Sequence, residues 1–122
     1  DGTGFGLSGH LTEMMVSSSL DAEISWSKIP KLPNLEHYVA EACVPGGTGR
    51  NHASIAKHLP SLSDTERAIL CDPQTSGGLL ITVQPEAVDE VAKVLKNAGL
   101  PVMPIGRLSK QANQEPLLKL CD

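Results

Sequence analysis

The chain has 122 residues, of which 40% are hydrophobic and 20% are charged, so we expect one globular domain rather than a disordered chain. A formal net charge of −4 and the lack of a basic stripe argue against nonspecific binding to nucleic acid or to an anionic membrane. No apolar run is long enough to cross a bilayer, and we expect a cytoplasmic location. The cysteines are too widely spaced for a zinc motif, so we expect reduced thiols at Cys43, Cys71 and Cys121.

The first third of the chain predicts a helix, a strand and a second helix. Apolar residues at helical spacing predict a helix over about 7–17 that begins directly from a glycine loop. Alternation over 22–26 predicts a strand. Two prolines make residues 29–34 an extended connector, after which Asn34 can cap a helix that runs to about Ala42.

The middle of the chain predicts a loop, a capped helix and a buried strand. Residues 44–51 are rich in glycine and predict a loop, with a short helix following toward His58. The sequence of residues 63–66 is a capping box and predicts a helix to about Leu70. Residues 71–78 predict a loop, and the apolar run 79–83 predicts a strand that is buried on both faces.

The last third predicts one helix and two strands. Pro85 suits the first turn of a helix, and Gly99 supplies its C-terminal stop. Residues 102–108 and 117–120 are strand candidates, separated by a polar turn. Alternating strands and helices of this kind predict an α/β or α+β sandwich, in which helices pack on a mixed sheet.

The opening residues have the composition of a cation and phosphate site. Asp1 is a hard oxygen ligand of the kind that Mg²⁺ prefers, and Thr3 and the following glycines would let backbone N–H groups approach a phosphate. The alternative is that the glycines only permit a tight turn and close packing of a helix. A third interpretation is dinucleotide binding, since Gly-x-Gly-x-x-Gly spans residues 4–9, but that motif requires a preceding strand. The sequence starts inside the motif, so we expect a fragment of a longer protein.

Two further loops could take part in the same site. Residues 45–51 offer consecutive backbone amides, a hydroxyl and a guanidinium, which suits an oxyanion, although a flexible solvent loop has the same composition. The candidate phosphate-side residues of this loop are Gly46, Gly47, Thr48, Arg50 and Asn51. In residues 72–78, Thr75 and Ser76 could line the site, whereas the structural interpretation, which we favour, is that this loop supports the first one.

Four motifs in this order make the chain resemble the C-terminal half of the bacterial type of the selenophosphate synthetase (selenide, water dikinase) family. They are Asp-x-Thr-Gly-Phe-Gly-Leu-x-Gly-His at 1–10, Ile-Pro-Lys-Leu-Pro at 29–33, Pro-Gly-Gly-Thr-x-Arg-Asn at 45–51 and Cys-Asp-Pro-Gln-Thr-Ser-Gly-Gly-Leu-Leu at 71–80. The resemblance implies a single domain over residues 1–122. It also implies an α/β/α sandwich with a mixed, partly ferredoxin-like sheet, as in the C-terminal domain of aminoimidazole ribonucleotide synthetase.

The same resemblance implies a function. The full enzyme would be a homodimer that converts ATP, selenide and water into selenophosphate, AMP and phosphate with Mg²⁺, and Asp1 matches the aspartate that binds this metal beside the ATP phosphates. The family's catalytic residues lie in the N-terminal half, so we expect none in this chain and no activity from the chain alone. The phosphate-side residues would be the loop residues named above together with Thr3 and Gly4. The alternatives are a structural module that covers the N-terminal active site, or another ATP-dependent enzyme of the same superfamily.

Overall fold

The computed structural model describes residues 2–122, which form five helices and one three-stranded sheet. The helices are α1 (Gly6–Ser18), α2 (Leu35–Ala40), α3 (Gly47–Ile55), α4 (Asp64–Leu70) and α5 (Val88–Asn97). The strands are β1 (Leu20–Ser25), β2 (Gly106–Lys110) and β3 (Leu118–Cys121). Short 3-10 turns occupy Trp26–Lys28, Ala56–His58 and Pro85–Ala87. The mixed α/β class predicted from the sequence is therefore confirmed.

The sheet is mixed, with β1 in the middle. β2 pairs with β1 in antiparallel register, so that Ala22 lies opposite Leu108. β3 pairs with the other edge of β1 in parallel register, so that Ala22 also lies opposite Leu118. A parallel pair needs a long crossover connection, and here the whole chain between the two strands supplies it.

The core lies between α1 and the sheet. α1 packs on β1, and α3 and α4 pack in turn against α1. The side chains of Met15, Leu70, Cys71 and Leu118 are completely buried in it. The core is almost wholly aliphatic, as the scarcity of aromatic residues in the sequence requires. No helix within residues 2–122 combines the length and the apolar character that a membrane crossing needs.

Local signals placed three helix ends correctly. The Ser63 hydroxyl accepts a hydrogen bond from the backbone of Glu66, and the Glu66 carboxylate accepts one from the backbone of Ser63, so the capping box at the start of α4 is complete. Past the end of α5, Gly99 adopts a positive φ of 71°, and the next amide bonds back to Leu95. This arrangement is a Schellman motif, in which glycine costs the least strain. α1 begins within one residue of its predicted start.

The prediction for residues 44–51 was only half right. Residues 44–46 form a loop, but α3 begins at Gly47 instead of after the glycines. Two glycines in the first turn lower the helix propensity, and the packing of α3 on α1 and α4 outweighs that penalty. At α2, Asn34 occupies the predicted cap position but has a left-handed backbone (φ 63°) and makes no side-chain cap bond.

The predicted buried strand over 79–83 was wrong. These residues form no strand, and the side chains of Leu79 and Ile81 are 74% and 49% exposed. Both edges of β1 are occupied by β2 and β3, so no place beside the central strand remains. The start of the segment is bound elsewhere, because the Gly78 carbonyl accepts a hydrogen bond from the Gly2 amide.

The other strands were predicted with small shifts along the chain. β1 begins two residues before the predicted strand, at Leu20, because pairing with β2 extends to Lys110. β2 itself is displaced toward the C-terminus relative to the predicted 102–108, and residues 101–105 are irregular. β3 lies within one residue of its prediction.

Candidate functional site

Three segments that the sequence singled out meet at one end of α1. We call residues 2–5, 46–51 and 71–78 the loop cluster. The Gly2 amide donates to the Gly78 carbonyl over 2.9 Å, and the Gly4 amide donates to the Gln74 carbonyl over 2.7 Å. These two bonds join the first segment to the third along their backbones. The structural interpretation of residues 72–78, as support for the first loop, is therefore present in the geometry.

Glycine is needed where these backbones approach each other. A Cβ on Gly77 would collide with the carbonyl of Gly2. Gly6 has a positive φ of 74°, and a Cβ there would lie 2.7 Å from the carbonyl oxygen of Leu70. Such contacts exclude any side chain without movement of the backbone. Close packing thus requires glycine at Gly77 and at Gly6, whereas a Cβ at Gly4 or Gly46 would meet nothing within 4 Å.

The Asn51 side chain connects all three segments. Its Nδ2 donates to the Gly4 carbonyl over 2.9 Å and to the Cys71 carbonyl over 3.0 Å. Asn51 lies on α3, so one amide group joins that helix to the first loop and to the end of α4. The sequence predicted Asn51 at the site but did not predict this bridging role.

The start of α3 carries the remaining residues of the second segment. Gly46 is exposed and precedes the helix, while Gly47 packs so closely that a Cβ there would lie 2.9 Å from Cγ of Pro73. Such a Cβ would also lie 3.5 Å from Nη2 of Arg50, so the Arg50 guanidinium lies next to the third segment. Arg50 is exposed and forms no salt bridge with any acidic residue in the part of the chain that the structure describes.

The four hydroxyl side chains of the loop cluster that were predicted at the site differ in their access to solvent. Thr48 is only 4% exposed, and its hydroxyl has no hydrogen-bond partner among the described residues. Thr3, Thr75 and Ser76 are exposed on the surface of the loop cluster. The exposed hydroxyls can reach a ligand as they stand, whereas Thr48 faces the protein interior.

His10 holds the first loop from its other side. Its Nε2 lies 2.9 Å from the Thr3 carbonyl, which accepts the hydrogen bond. The opposite ring nitrogen lies 3.6 Å from the Glu13 carboxylate. These contacts are those of a residue that packs against the loop.

The sequence matches the model of the family described as AIR synthase related protein, C-terminal domain, over residues 1–119. The chain belongs to this family. It is also similar to the protein named selenide, water dikinase in several bacteria. The identity is 47% over 98% of the chain for Photorhabdus laumondii, 49% over 88% for Pseudomonas putida and 50% over 91% for Bordetella bronchiseptica.

The chain spans about a third of the length of the curated relatives it matches. It covers 35% of the Photorhabdus laumondii protein and 31% of the Pseudomonas putida protein. The resemblance to the C-terminal part of the selenophosphate synthetase family is thus confirmed, and the remaining two-thirds of these relatives have no counterpart in the 122 residues.

In this family member, a buried thiol begins the third segment of the loop cluster. Cys71 is completely buried, and its Sγ lies 3.3 Å from the Ser8 hydroxyl, which also donates to the Leu70 carbonyl over 2.8 Å. Burial raises the pKa of the Cys71 thiol, outweighing the hydrogen bond with Ser8 and the charge of Arg67, which both lower it. A buried thiol with a raised pKa is protonated and a poor nucleophile. The expectation that Cys71 is not catalytic has this support.

Asp72 is an acidic group of the loop cluster that the sequence analysis did not place in the site. Burial raises the pKa of its carboxyl. Asp72 forms no salt bridge with a lysine, arginine or histidine of the described residues. A partly buried carboxylate without a cation is unusual, and the Cys-Asp-Pro motif in the sequence was the available signal for it.

The described residues do not make a metal site by themselves. Within residues 2–122, no three side chains of the His, Cys, Asp and Glu types are grouped closely enough to hold a metal ion. Asp1, the predicted Mg²⁺ ligand, lies outside the described residues, although the next residue is fixed by its bond to Gly78. The donor set therefore fits a Mg²⁺ ion only as part of a site whose other ligands come from elsewhere.

One surface groove is separate from the loop cluster. It lies between the second half of α1 and residues 54–58, with Thr12, Val16, Ile55 and His58 among its lining side chains. It is wide open to solvent, and none of the predicted site residues borders it. The candidate site is therefore a convergence of loops on the surface and not an enclosed pocket.

Proposed function

We propose that the chain is the C-terminal domain of a selenide, water dikinase, and that the loop cluster forms the phosphate side of its Mg²⁺·ATP cleft. The observation that carries the proposal is the meeting of three predicted phosphate loops at one surface, in a chain 47% identical to such an enzyme over 98% of its length. In the longer protein the reaction would use ATP, selenide and water and give selenophosphate, AMP and phosphate.

Charge and hydrogen-bond donors of the cluster suit a phosphate. The exposed Arg50 guanidinium offers a cation with a forked set of N–H donors. The hydroxyls of Thr3, Thr75 and Ser76 are also exposed on the loop cluster and add neutral donors. The other proposed wall residues are Gly4, Gly46, Gly47, Thr48 and Asn51. The amides of Gly4 and Thr48 already donate to the Gln74 and Pro45 carbonyls, so these residues would shape the wall rather than donate to the phosphate. Together they would orient the triphosphate and limit the access of water to it.

Mg²⁺ is proposed for the intact enzyme. Asp1 would supply one carboxylate oxygen, with the other ligands coming from the phosphates, from water and from the rest of the longer protein. Bound there, the ion would neutralise charge on the phosphates. We propose no catalytic side chain in this chain, and we expect the chain alone to be inactive.

The partners and the location follow from the same proposal. The N-terminal domain of the same polypeptide would close the cleft, the full enzyme would be a homodimer, and it would work in the cytoplasm. The net charge of −4 gives no reason to expect nucleic acid or membrane among the partners.

A second candidate function is that of a structural module. Its support is that the Asn51 and Ser8 side chains donate hydrogen bonds to carbonyls of the chain itself rather than pointing to the surface. Under this alternative the domain would cover the active site of the N-terminal domain and touch no phosphate. Another ATP-dependent enzyme of the superfamily would also carry these loops, and it would differ in lacking turnover with selenide.

The test is the Arg50→Ala variant of the full-length protein, with Arg107→Ala as the matched control. Arg107 is an exposed arginine on the edge strand β2, outside the loop cluster. Loss of a charge-assisted hydrogen bond to phosphate should weaken Mg²⁺·ATP binding about tenfold or more in calorimetric titration, with no loss for the control. Unchanged affinity in Arg50→Ala, with unchanged selenide-dependent turnover, would favour the structural module.

A titration identifies the ligand class. Amide NMR spectra with Mg²⁺·ATP and with NAD should show shifts at residues 3–9 and 46–51 for the first ligand alone. Shifts with NAD instead would restore the dinucleotide interpretation. Absence of any response from the isolated chain, together with binding by the full-length protein, would mean that the site needs both domains.

A further inference from the structure

The donors of the Asn51 side chain are fully used. A primary amide has two N–H donors, and Nδ2 of Asn51 lies within 3.0 Å of two carbonyl oxygens, those of Gly4 and Cys71. No N–H of this side chain remains for a phosphate. The side chain is half-buried between the segments that it joins.

Gly4, whose carbonyl accepts a hydrogen bond from Asn51, is also bonded through its amide. The Gly4 carbonyl accepts from Asn51, and the Gly4 amide donates to the Gln74 carbonyl over 2.7 Å. Gly4 has a positive φ of 87°, a conformation that glycine adopts without strain and that other residues disfavour. Its two peptide groups are therefore fixed by partners on two different segments.

The preceding carbonyl is fixed from a third direction. His10 on α1 binds the Thr3 carbonyl over 2.9 Å, while Asn51 on α3 binds the Gly4 carbonyl. A trans peptide points its C=O and its N–H in opposite directions, so holding the Gly4 carbonyl directs the Phe5 N–H away from Asn51. Side chains from two helices thus set the orientation of successive peptides in the first loop.

We infer that Asn51 is a positioning residue, which fixes the turn at 3–5 against the end of α4 and does not itself contact the ligand. The inference rests on the proposed function for the identity of that ligand. It divides the second segment into two roles. The Arg50 guanidinium is exposed and has no salt-bridge partner among residues 2–122, whereas its neighbour Asn51 is bonded to the backbone of two other segments. Gly4 and Cys71 are the residues through which Asn51 acts.

The experiment compares Asn51→Ala and Asn51→Asp with Arg50→Ala in the full-length protein. Backbone hydrogen exchange is measured without ligand, by mass spectrometry. Loss of both Asn51 N–H donors should raise the rate of amide exchange at residues 2–5 and 72–74 about tenfold. This is the size expected when the hydrogen bonds to the Gly4 and Cys71 carbonyls are lost. Arg50→Ala should leave exchange there unchanged while it weakens Mg²⁺·ATP binding. Ser54→Ala is the control on the same helix, because its hydroxyl bonds only to the Asn51 backbone carbonyl.

Measurements of Mg²⁺·ATP affinity distinguish a positioning role from a purely structural one, because a purely structural role would leave the affinity unchanged. If Asn51 positions the loop, Asn51→Gln, which keeps both N–H donors, should recover part of the Mg²⁺·ATP affinity that Asn51→Ala loses. The isosteric Asn51→Asp should lose about as much as Asn51→Ala, with little dependence on salt. A much larger, salt-dependent loss in Asn51→Asp would place the side chain next to the phosphates and overturn the inference.

Other outcomes are equally decisive. Unchanged exchange at residues 2–5 in Asn51→Ala would also overturn the inference, whatever the affinity. If Asn51→Ala and Asn51→Asp fail to fold, Asn51→Ser keeps one donor and should show an intermediate rise in exchange at the same residues; a wild-type exchange pattern there would contradict the positioning role. If the unmodified protein binds no Mg²⁺·ATP, the proposed function fails, and the exchange result still reports on the role of Asn51.

Discussion

The loop cluster and the segment from Leu79 to Met103 differ in how their side chains are accommodated. In the cluster, the Asn51 side chain is bonded to backbone carbonyls, and Cys71, which contacts Ser8 of α1, is completely buried. In the later segment, apolar side chains remain in solvent, with Leu79 at 74% exposure and Val94 at 63%, and α5 has no buried residue. One region is completed by the chain's own contacts, and the other keeps apolar surface uncovered.

The contrast bears on how the two regions hold their shape. Buried apolar area and satisfied carbonyls stabilise the cluster, whereas residues 79–83 make no ladder and α5 depends on its own hydrogen bonds, on Pro85 and on Gly99. Free energies of local opening follow buried contacts and satisfied hydrogen bonds. We therefore expect substitutions near the cluster to cost stability and similar substitutions in the later segment to cost little.

The largest difference is expected between two leucines. Leu118→Ala removes a completely buried side chain from the core and should lower the free energy of unfolding by about 2–5 kcal/mol. Leu79→Ala removes a side chain that is 74% exposed and should change it by less than about 0.5 kcal/mol. Urea denaturation of both variants measures the difference. Equal losses would show that Leu79 is buried in the folded protein and that the contrast is false.

Two glycines with positive φ allow the same comparison for the backbone. Gly6→Ala adds left-handed strain and a contact with Leu70 and Cys71 backbone atoms, so it should cost about 3 kcal/mol. Gly99→Ala adds the strain alone, because nothing lies within 4 Å of its Cβ position, and it should cost about 1 kcal/mol. Thermal unfolding of the pair tests this, and the idea of a tightly packed cluster would be contradicted if Gly6→Ala were the milder change.

The smallest effect concerns Asp72. Burial raises the pKa of its carboxyl in the folded state, so folding favours the protonated form and the ionised group lowers stability at neutral pH. Asp72→Asn should therefore raise the melting temperature slightly at pH 7. The gain should disappear as the pH falls through the folded-state pKa, where the wild-type carboxyl takes up its proton.

Asp89→Asn is the matched control for that measurement. Asp89 is an exposed aspartate in the first turn of α5, where a negative charge suits the helix dipole. Its replacement should not raise the melting temperature at pH 7. A rise of equal size in both variants would assign the effect to net charge rather than to the burial of Asp72.

Sequence reasoning succeeded where a structure is decided by neighbouring residues. The capping box at Ser63 and the stop at Gly99 depend on contacts within one turn, and both were found at the predicted positions. The glycine loop before α1 was found for the same reason. Helix caps and stops can be predicted from the sequence because they depend only on neighbouring residues.

The sequence-based predictions were wrong where contacts between segments distant in the sequence determine the structure. Residues 79–83 have the composition of a buried strand, but composition cannot show that β3 occupies the parallel position beside β1. α3 begins among glycines because tertiary packing outweighs their low helix propensity. At the site, the three segments named from motifs meet in the structure, and their binding role stays a prediction. The role of Asn51 depends on the positions of two carbonyls far away in the sequence.

The pairing of β1 with β3 has a consequence for the time course of folding. The Cys121 thiol donates to the Ile24 carbonyl, two residues that are 97 positions apart. Strand pairs of such separation must close a very long loop before they gain any stabilisation, which slows folding. α1 and α4 can form early from local contacts, whereas both partners of β1 come from the last part of the chain, so β1 stays unpaired until that part has folded back. During that interval β1 presents an open edge, and we expect this stage to be the one most prone to aggregation.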